Sequence, residues 1–124
     1  MNILFTLNDA FVPQVATCMC SIFENNQFTE DITIYLVGEK ISEKNKLRLS
    51  EFTQSYHQNI HFIELNDLTE YIDFDFDTNG WSSIVLARLL LDKLLPFNLD
   101  KILYLDGDTL VLDDLTSLWG IDLL

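Results

Sequence analysis

Asp106-Gly107-Asp108 sets two carboxylates two positions apart, directly after the apolar run Lys101–Leu105 (KILYL). An Asp-x-Asp triplet alone says little: thirteen aspartates among 124 residues produce about one by chance, and this chain has three. Context separates this triplet from the others. Asp106 closes an apolar strand, where desolvation makes an unpaired carboxylate costly. Asp108, at i+2, would face the same side in extended backbone. Two adjacent anions repel unless a cation lies between them. Hard carboxylate oxygens suit Mg²⁺ or Mn²⁺, which bind through one or two carboxylates plus substrate phosphates. A solvated turn formed by aspartates is the structural alternative.

Arg88 is the only charge between Asp77 and Asp92, inside Ile84-Val85-Leu86-Ala87-Arg88-Leu89-Leu90-Leu91. A helix apolar nearly all round is a buried helix, and a guanidinium inside it must find an anion. That anion is either one of the chain's many carboxylates or a ligand phosphate, which the Arg fork fits. Asn8, Asp9 and Phe11 stand at the end of the first strand. They serve as helix caps and core, or as hydrogen-bond and stacking partners of a base or ribose. Asp73-Phe74-Asp75-Phe76-Asp77 holds the other two triplets, and Asp75-x-Asp77-x-Asn79-Gly80 matches the first half of an EF-hand loop. Leu86 stands at its twelfth position, where a bidentate Glu is required, so an acidic surface loop pinned by aromatics is the better reading. His57 and His61 lack metal-ligand spacing, Cys18 reads as core, and nothing marks Cys20 as a nucleophile. Ser82 and Ser83 have no visible Ser-His-Asp context, and Asp113-Asp114 reads as a solvated turn.

These residues need a frame. Asn2–Leu7 (NILFTL), Ile32–Val37 (ITIYLV), Ile60–Leu65 (IHFIEL) and Lys101–Leu105 are the expected strands, with Thr109–Leu112 as a further short one. Asn8-Asp9 and Pro13 open a helix whose apolar pairs run Phe11/Val12, Val15/Ala16, Cys18/Met19 and Ile22/Phe23, ending at Asn25-Asn26. Ser42-Glu43 opens a second, with Leu49, Phe52 and Tyr56 on one stripe. Asn66–Gly80 reads as loop or short helix, and Ser82–Leu95 as a helix stopped by Pro96. Strands alternating with helices imply a mostly parallel sheet covered on both faces, with ligands outside the C-terminal strand ends. Two such ends carry polar residues: Leu7-Asn8-Asp9 and Asp106-Gly107-Asp108.

Composition narrows the function classes. Seven basic and twenty acidic residues give a net charge of −13. Residues 1–60 contribute 4 − 7 = −3 and residues 61–124 contribute 3 − 13 = −10. So acidic a surface repels nucleic acid and anionic lipid, and an anionic ligand requires a metal or a well-placed Arg as mediator. No apolar run is long enough for a transmembrane helix, and the N-terminus lacks signal-peptide features. Cys18 and Cys20 point to different faces of a helix and cannot bridge, consistent with reduced thiols in the cytoplasm. The length suits one domain, with no internal repeat or boundary.

Taken in order, several segments resemble the N-terminal half of glycosyltransferase family 8. They are Thr6-Leu7-Asn8-Asp9, the helix end Ser21-Ile22-Phe23-Glu24-Asn25-Asn26, Ala87-Arg88-Leu89, the run from Ile102 to Val111, and Asp114-Leu115 through Leu118-Trp119. The resemblance covers essentially the whole chain. Leu103-Tyr104-Leu105-Asp106-Gly107-Asp108 with its following Trp is the more specific part. The family includes bacterial lipopolysaccharide galactosyl- and glucosyltransferases and glycogenin. It implies an α/β GT-A (Rossmann-like) nucleotide-sugar-binding fold, a mostly parallel sheet with helices on both faces, here truncated before the C-terminal half. It also implies metal-dependent transfer of a hexose from a nucleotide sugar, usually a UDP-sugar, to a glycan acceptor such as lipopolysaccharide, with retention.

By the same resemblance, Asp106 and Asp108 would hold Mn²⁺ (or Mg²⁺) against the diphosphate, and Arg88 would neutralise its phosphate and sugar side. Thr6 and Asn8 would contact uracil and Phe11 the base or ribose, with Asp9 in the same nucleotide-sugar-binding set. The chain departs from the pattern at Asn8, where many members have Asp, and at Ala10, where many have a polar residue. The family's third metal ligand, a His in His-x-x-Gly-x-x-Lys-Pro-Trp, and its acceptor-side acids lie beyond Leu124. Residues 1–124 are therefore expected to form an incomplete domain, the donor and metal half of a site, with no assignable catalytic residue. The chain alone is expected to be inactive in sugar transfer and prone to self-association through an uncovered edge or apolar face. Two alternatives stand beside this reading. One is a nucleotide-binding or structural remnant without catalysis. The other is a HAD-type phosphatase, whose Asp-x-Asp-x-Thr is poorly met because Thr109 directly follows Asp108, on the fourth strand instead of the first.

Overall fold

The computed structural model describes residues 1–65, 91–96 and 98–123. Four parallel strands form one sheet: β1 (Asn2–Asn8), β2 (Thr33–Glu39), β3 (Asn59–Glu64) and β4 (Leu103–Tyr104), in the order β3-β2-β1-β4. Ile3 pairs with Ile34 on one side and Leu103 on the other, and Ile34 in turn pairs with Ile60. β1 and β2 are covered on both faces, which is why they read as near-continuous apolar runs instead of alternating ones.

On one face Ile3, Phe5 and Leu7 pack against α1 (Val12–Asn25) and α2 (Glu43–Ser55) through Val15, Met19, Ile22 and Leu49. Fully burying each of these side chains contributes about 1.5–3 kcal/mol. Phe23, Phe52 and Tyr56 close the outer end of that layer, with ring centroids 5.1–5.9 Å apart. On the other face Leu4, Tyr35, Val37 and Leu65 form a second cluster. Leu91, Leu95, Leu99 and Ile102 pack on it, the first of them from the short helix α3 (Leu91–Leu94). A last turn of helix, α4 (Thr116–Trp119), follows β4.

The helix starts follow capping chemistry. Asn8 Oδ1 accepts from Phe11 N at 3.2 Å and opens a 3-10 turn, Asp9–Phe11, from which α1 continues with Pro13 in its first turn. Ser42 Oγ accepts from Asn45 N at 3.2 Å and caps α2.

Two expectations need correction. Thr109–Leu112 is not a strand. Side chains of α1 take the place of a strand partner at Val111: Val111 N donates to Ser21 Oγ (2.9 Å) and Val111 O accepts from Asn25 Nδ2 (2.8 Å). The fourth strand pairs over Leu103–Tyr104 alone, shorter than Lys101–Leu105, because the chain turns away after Leu105 N bonds Leu4 O (3.1 Å). The expected Asn66–Gly80 loop lies outside the described residues, as does most of the Ser82–Leu95 helix.

Candidate functional site

The chain leaves β1 towards β2 and β3, then returns on the other side of β1 as β4. The crevice at the C-terminal ends of β1 and β4 is therefore a topological switch point, the place where open α/β sheets bind ligands. Both strand ends singled out from the sequence meet there. Asn8 and the Asp9–Phe11 turn leave β1, and Asp106-Gly107-Asp108 leaves β4. Phe11 presents a large apolar ring that is 47% exposed at this rim.

Inside the crevice wall, Thr6 Oγ1 and Tyr104 Oη lie 2.8 Å apart and share a hydrogen bond. Tyr104 was not among the sequence candidates. A polar tip two residues before Asp106 in an otherwise apolar strand was the available signal. Asp9 Oδ1 accepts from Ser42 N and Asn45 Nδ2, both at 2.9 Å. These N–H donors, Ser42 first, hold its carboxyl below the usual aspartate range.

Asp106 and Asp108 are exposed, not desolvated at a strand end. Nor do they share one extended segment: Gly107 and Asp108 form a turn, closed by Thr109 Oγ1 donating to Asp106 O at 2.7 Å. The turn leans on α1, where a Cβ added to Gly107 would stand 2.6 Å from Val15 Cγ2. Cys18 Sγ reaches Thr109 Oγ1 at 3.5 Å, and burial pushes the Cys18 thiol up. Ser21 and Asn25 hold Val111, and buried Asn26 accepts from Leu115 N through Oδ1 at 2.8 Å. Cys18, Ser21 and Asn25 follow helical i, i+3, i+7 spacing, so one stripe of α1 straps the segment after the two aspartates. A cavity of about 280 Å³ opens beside this turn, lined by Gln14, Thr17, Gly107, Asp108, Thr109 and Leu110.

Other candidates fall elsewhere. His57 and His61 are both exposed, and His61 stacks on Tyr35 with centroids 5.4 Å apart, so neither reaches the strand ends. Asp114 Oδ1 accepts from Thr116 N at 2.6 Å, a turn as expected. Arg88, the Asp73–Asp77 run, Ser82 and Ser83 lie outside the described residues. Among the described residues no three His, Cys, Asp or Glu gather into a metal cluster, and no helix is long and apolar enough to cross a membrane.

Comparison with known proteins agrees with this geometry. The sequence pattern of glycosyl transferase family 8 matches residues 2–124. A Haemophilus influenzae protein bearing a glycosyltransferase name is 29% identical over 123 residues, which are 99% of this chain and 36% of that one. The crystal structure of galactosyltransferase LgtC with donor and acceptor sugar analogs superposes with a TM-score of 0.79 at 31% identity, covering 98% of this chain and 43% of LgtC. The bifunctional glycosyltransferase WbbM shares the fold, with a TM-score of 0.84 at 23% identity over 98% of this chain and 21% of WbbM. The chain thus spans less than half the length of these relatives. With a parallel sheet, a switch-point crevice and a pattern match along its length, the chain belongs to glycosyl transferase family 8 and has the GT-A fold.

Proposed function

We propose that residues 1–124 are the N-terminal, nucleotide-sugar-binding part of a GT-A domain that transfers a hexosyl group from a UDP-sugar to a glycan acceptor with retention. The observation that carries this is the meeting of Asn8–Phe11 and Asp106–Asp108 across adjacent parallel strand ends at the switch point. Donor and acceptor sugar analogs bound to the LgtC relative support the substrate classes.

The donor set fits a hard divalent cation. Two exposed carboxylates on a turn braced by α1 offer oxygen ligands without a burial penalty, and Mn²⁺ or Mg²⁺ takes such a pair together with phosphate oxygens. Asp106 and Asp108 would hold such an ion, and the chemistry it would supply is neutralisation of the negative charge on a diphosphate leaving group. The chain's own residues bind and orient. Phe11 offers an exposed face for the base or ribose. Asn8 spends Oδ1 on the Phe11 N–H, so its Nδ2 donors are the groups matched to a uracil carbonyl. Thr6, paired with Tyr104, stands behind them in the wall. By the family resemblance, Arg88 would neutralise the phosphate and sugar side.

Calorimetric titration of the chain with UDP, with and without Mn²⁺, tests this reading. Binding that strengthens at least tenfold with Mn²⁺, and loses that gain in Asp106→Asn, is expected. UDP binding indifferent to metal, or none at all, would count against it.

A further inference from the structure

Asp9 lies between the two residues assigned to the nucleotide, Asn8 and Phe11, yet its carboxylate is engaged elsewhere. Oδ1 accepts from Ser42 N and Asn45 Nδ2 at 2.9 Å each. Ser42 Oγ in turn accepts from Asn45 N at 3.2 Å, so the three residues close on one another at the start of α2. A carboxylate at a helix N-terminus is favoured both by the unpaired N–H groups there and by the helix dipole. Its partners are themselves fixed. Buried Ile41 packs on Gly38 so tightly that a Cβ there would stand 2.5 Å from Ile41 Cγ1. Asn8 also pairs in register with Glu39 at the end of β2. The 3-10 turn that presents Asn8 and Phe11 is therefore bolted to α2, and Asp9 is the bolt.

We infer that Asp9 is a positioning residue: it serves nucleotide binding through the Asp9–Ser42–Asn45 lock, which sets the turn carrying Asn8 and Phe11, and does not itself touch the nucleotide. The inference rests on the nucleotide reading above, but the lock has consequences of its own. If Asp9 acts through α2, removing the Asn45 amide must reproduce part of the loss of Asp9, although Asn45 stands on another helix and the Ser42 N–H remains. If Asp9 touches the nucleotide directly, removing Asn45 must leave affinity alone.

The experiment compares Asp9→Ala, Asn45→Ala and the double variant by amide hydrogen exchange at Phe11 and Ser42, and by UDP titration with Mn²⁺. Loss of the charge-assisted hydrogen bonds predicts about tenfold faster exchange at the Phe11 N–H in Asp9→Ala and a smaller rise in Asn45→Ala, which keeps the Ser42 N–H bond. UDP affinity should fall in both, less in Asn45→Ala because Ser42 N still donates to Asp9, and the double variant should be no worse than Asp9→Ala, the non-additivity expected of one network. Asp9→Asn keeps an acceptor oxygen and should recover most of the protection. An Asn45→Ala protein with wild-type exchange and wild-type affinity, beside a weakened Asp9→Ala, overturns the inference in favour of direct contact. If the wild type binds no UDP, the nucleotide reading falls, and the exchange data decide the lock alone: faster exchange in both variants supports it, unchanged exchange refutes it.

Discussion

Gly107 and Val15 stand so close that a Cβ on the glycine would lie 2.6 Å from Val15 Cγ2, a distance real side chains do not tolerate. The glycine between the two aspartates is thus a packing requirement of α1. Gly107→Ala should push the turn off the helix and cost about 1–3 kcal/mol, the usual range for overpacking. Val15→Ala in the same chain should restore part of that loss by vacating the space. Urea unfolding of the two single variants and the double variant checks it: simple additivity of the two costs would show that the contact is not the cause.

The strap on α1 makes a graded prediction. Ser21→Ala strips Val111 N of its acceptor and should cost about 1–2 kcal/mol. Asn26 is 1% exposed and bridges Ile22 O to Leu115 N, so Asn26→Ala should cost more, about 2–3 kcal/mol. Chemical denaturation ranks the two. The reverse order would mean that the segment after the aspartates is held by its apolar residues instead.

These contacts mark what the sequence could and could not say. β1 and β2 were legible within one or two residues because burial on both faces leaves an unmistakable apolar run. The two polar strand ends were legible as lying at the same end of a parallel sheet, where β1 and β4 lie side by side. Thr109–Leu112 looked like a strand locally, but its partners, Ser21 and Asn25, are on a helix some ninety residues earlier. Asn25-Asn26 end α1 in a turn as expected, but their long-range bonds to Val111 and Leu115 are invisible in a local pattern. Asp106 looked desolvated because adjacency to an apolar strand does not reveal on which side of the rim a carboxylate emerges. Thr6 and Tyr104, 98 positions apart, could not be paired without the sheet order.

Acid should weaken the fold through Asp9 and Asp114. The Ser42 N–H and the Asn45 amide lower the first, and the Thr116 hydroxyl and N–H lower the second. Because each folded-state pKa lies below its unfolded value, their stabilisation is complete above the ordinary aspartate range. It is lost as pH falls through the folded values, below about pH 4. Asp9→Asn should flatten that acid limb and leave the curve between pH 6 and 8 parallel to wild type. Thermal unfolding across pH 2.5–8 measures it, and an unchanged acid limb would show that Asp9 does not contribute to acid stability.

In the proposed function, Asp106 and Asp108 hold a divalent cation against the donor diphosphate. Thermal unfolding with millimolar Mn²⁺ and UDP tests it most directly. Ligand at a hundredfold its dissociation constant stabilises the folded state by about 2.7 kcal/mol. Both carboxylates are exposed, so water and salt screen their mutual repulsion without metal. Asp108→Asn should therefore unfold near the wild-type temperature without metal and lose the rise with Mn²⁺ and UDP, while the exposed α2 control Glu51→Gln keeps it. An Asp108→Asn protein that gains as much from Mn²⁺ and UDP as wild type would contradict the metal assignment.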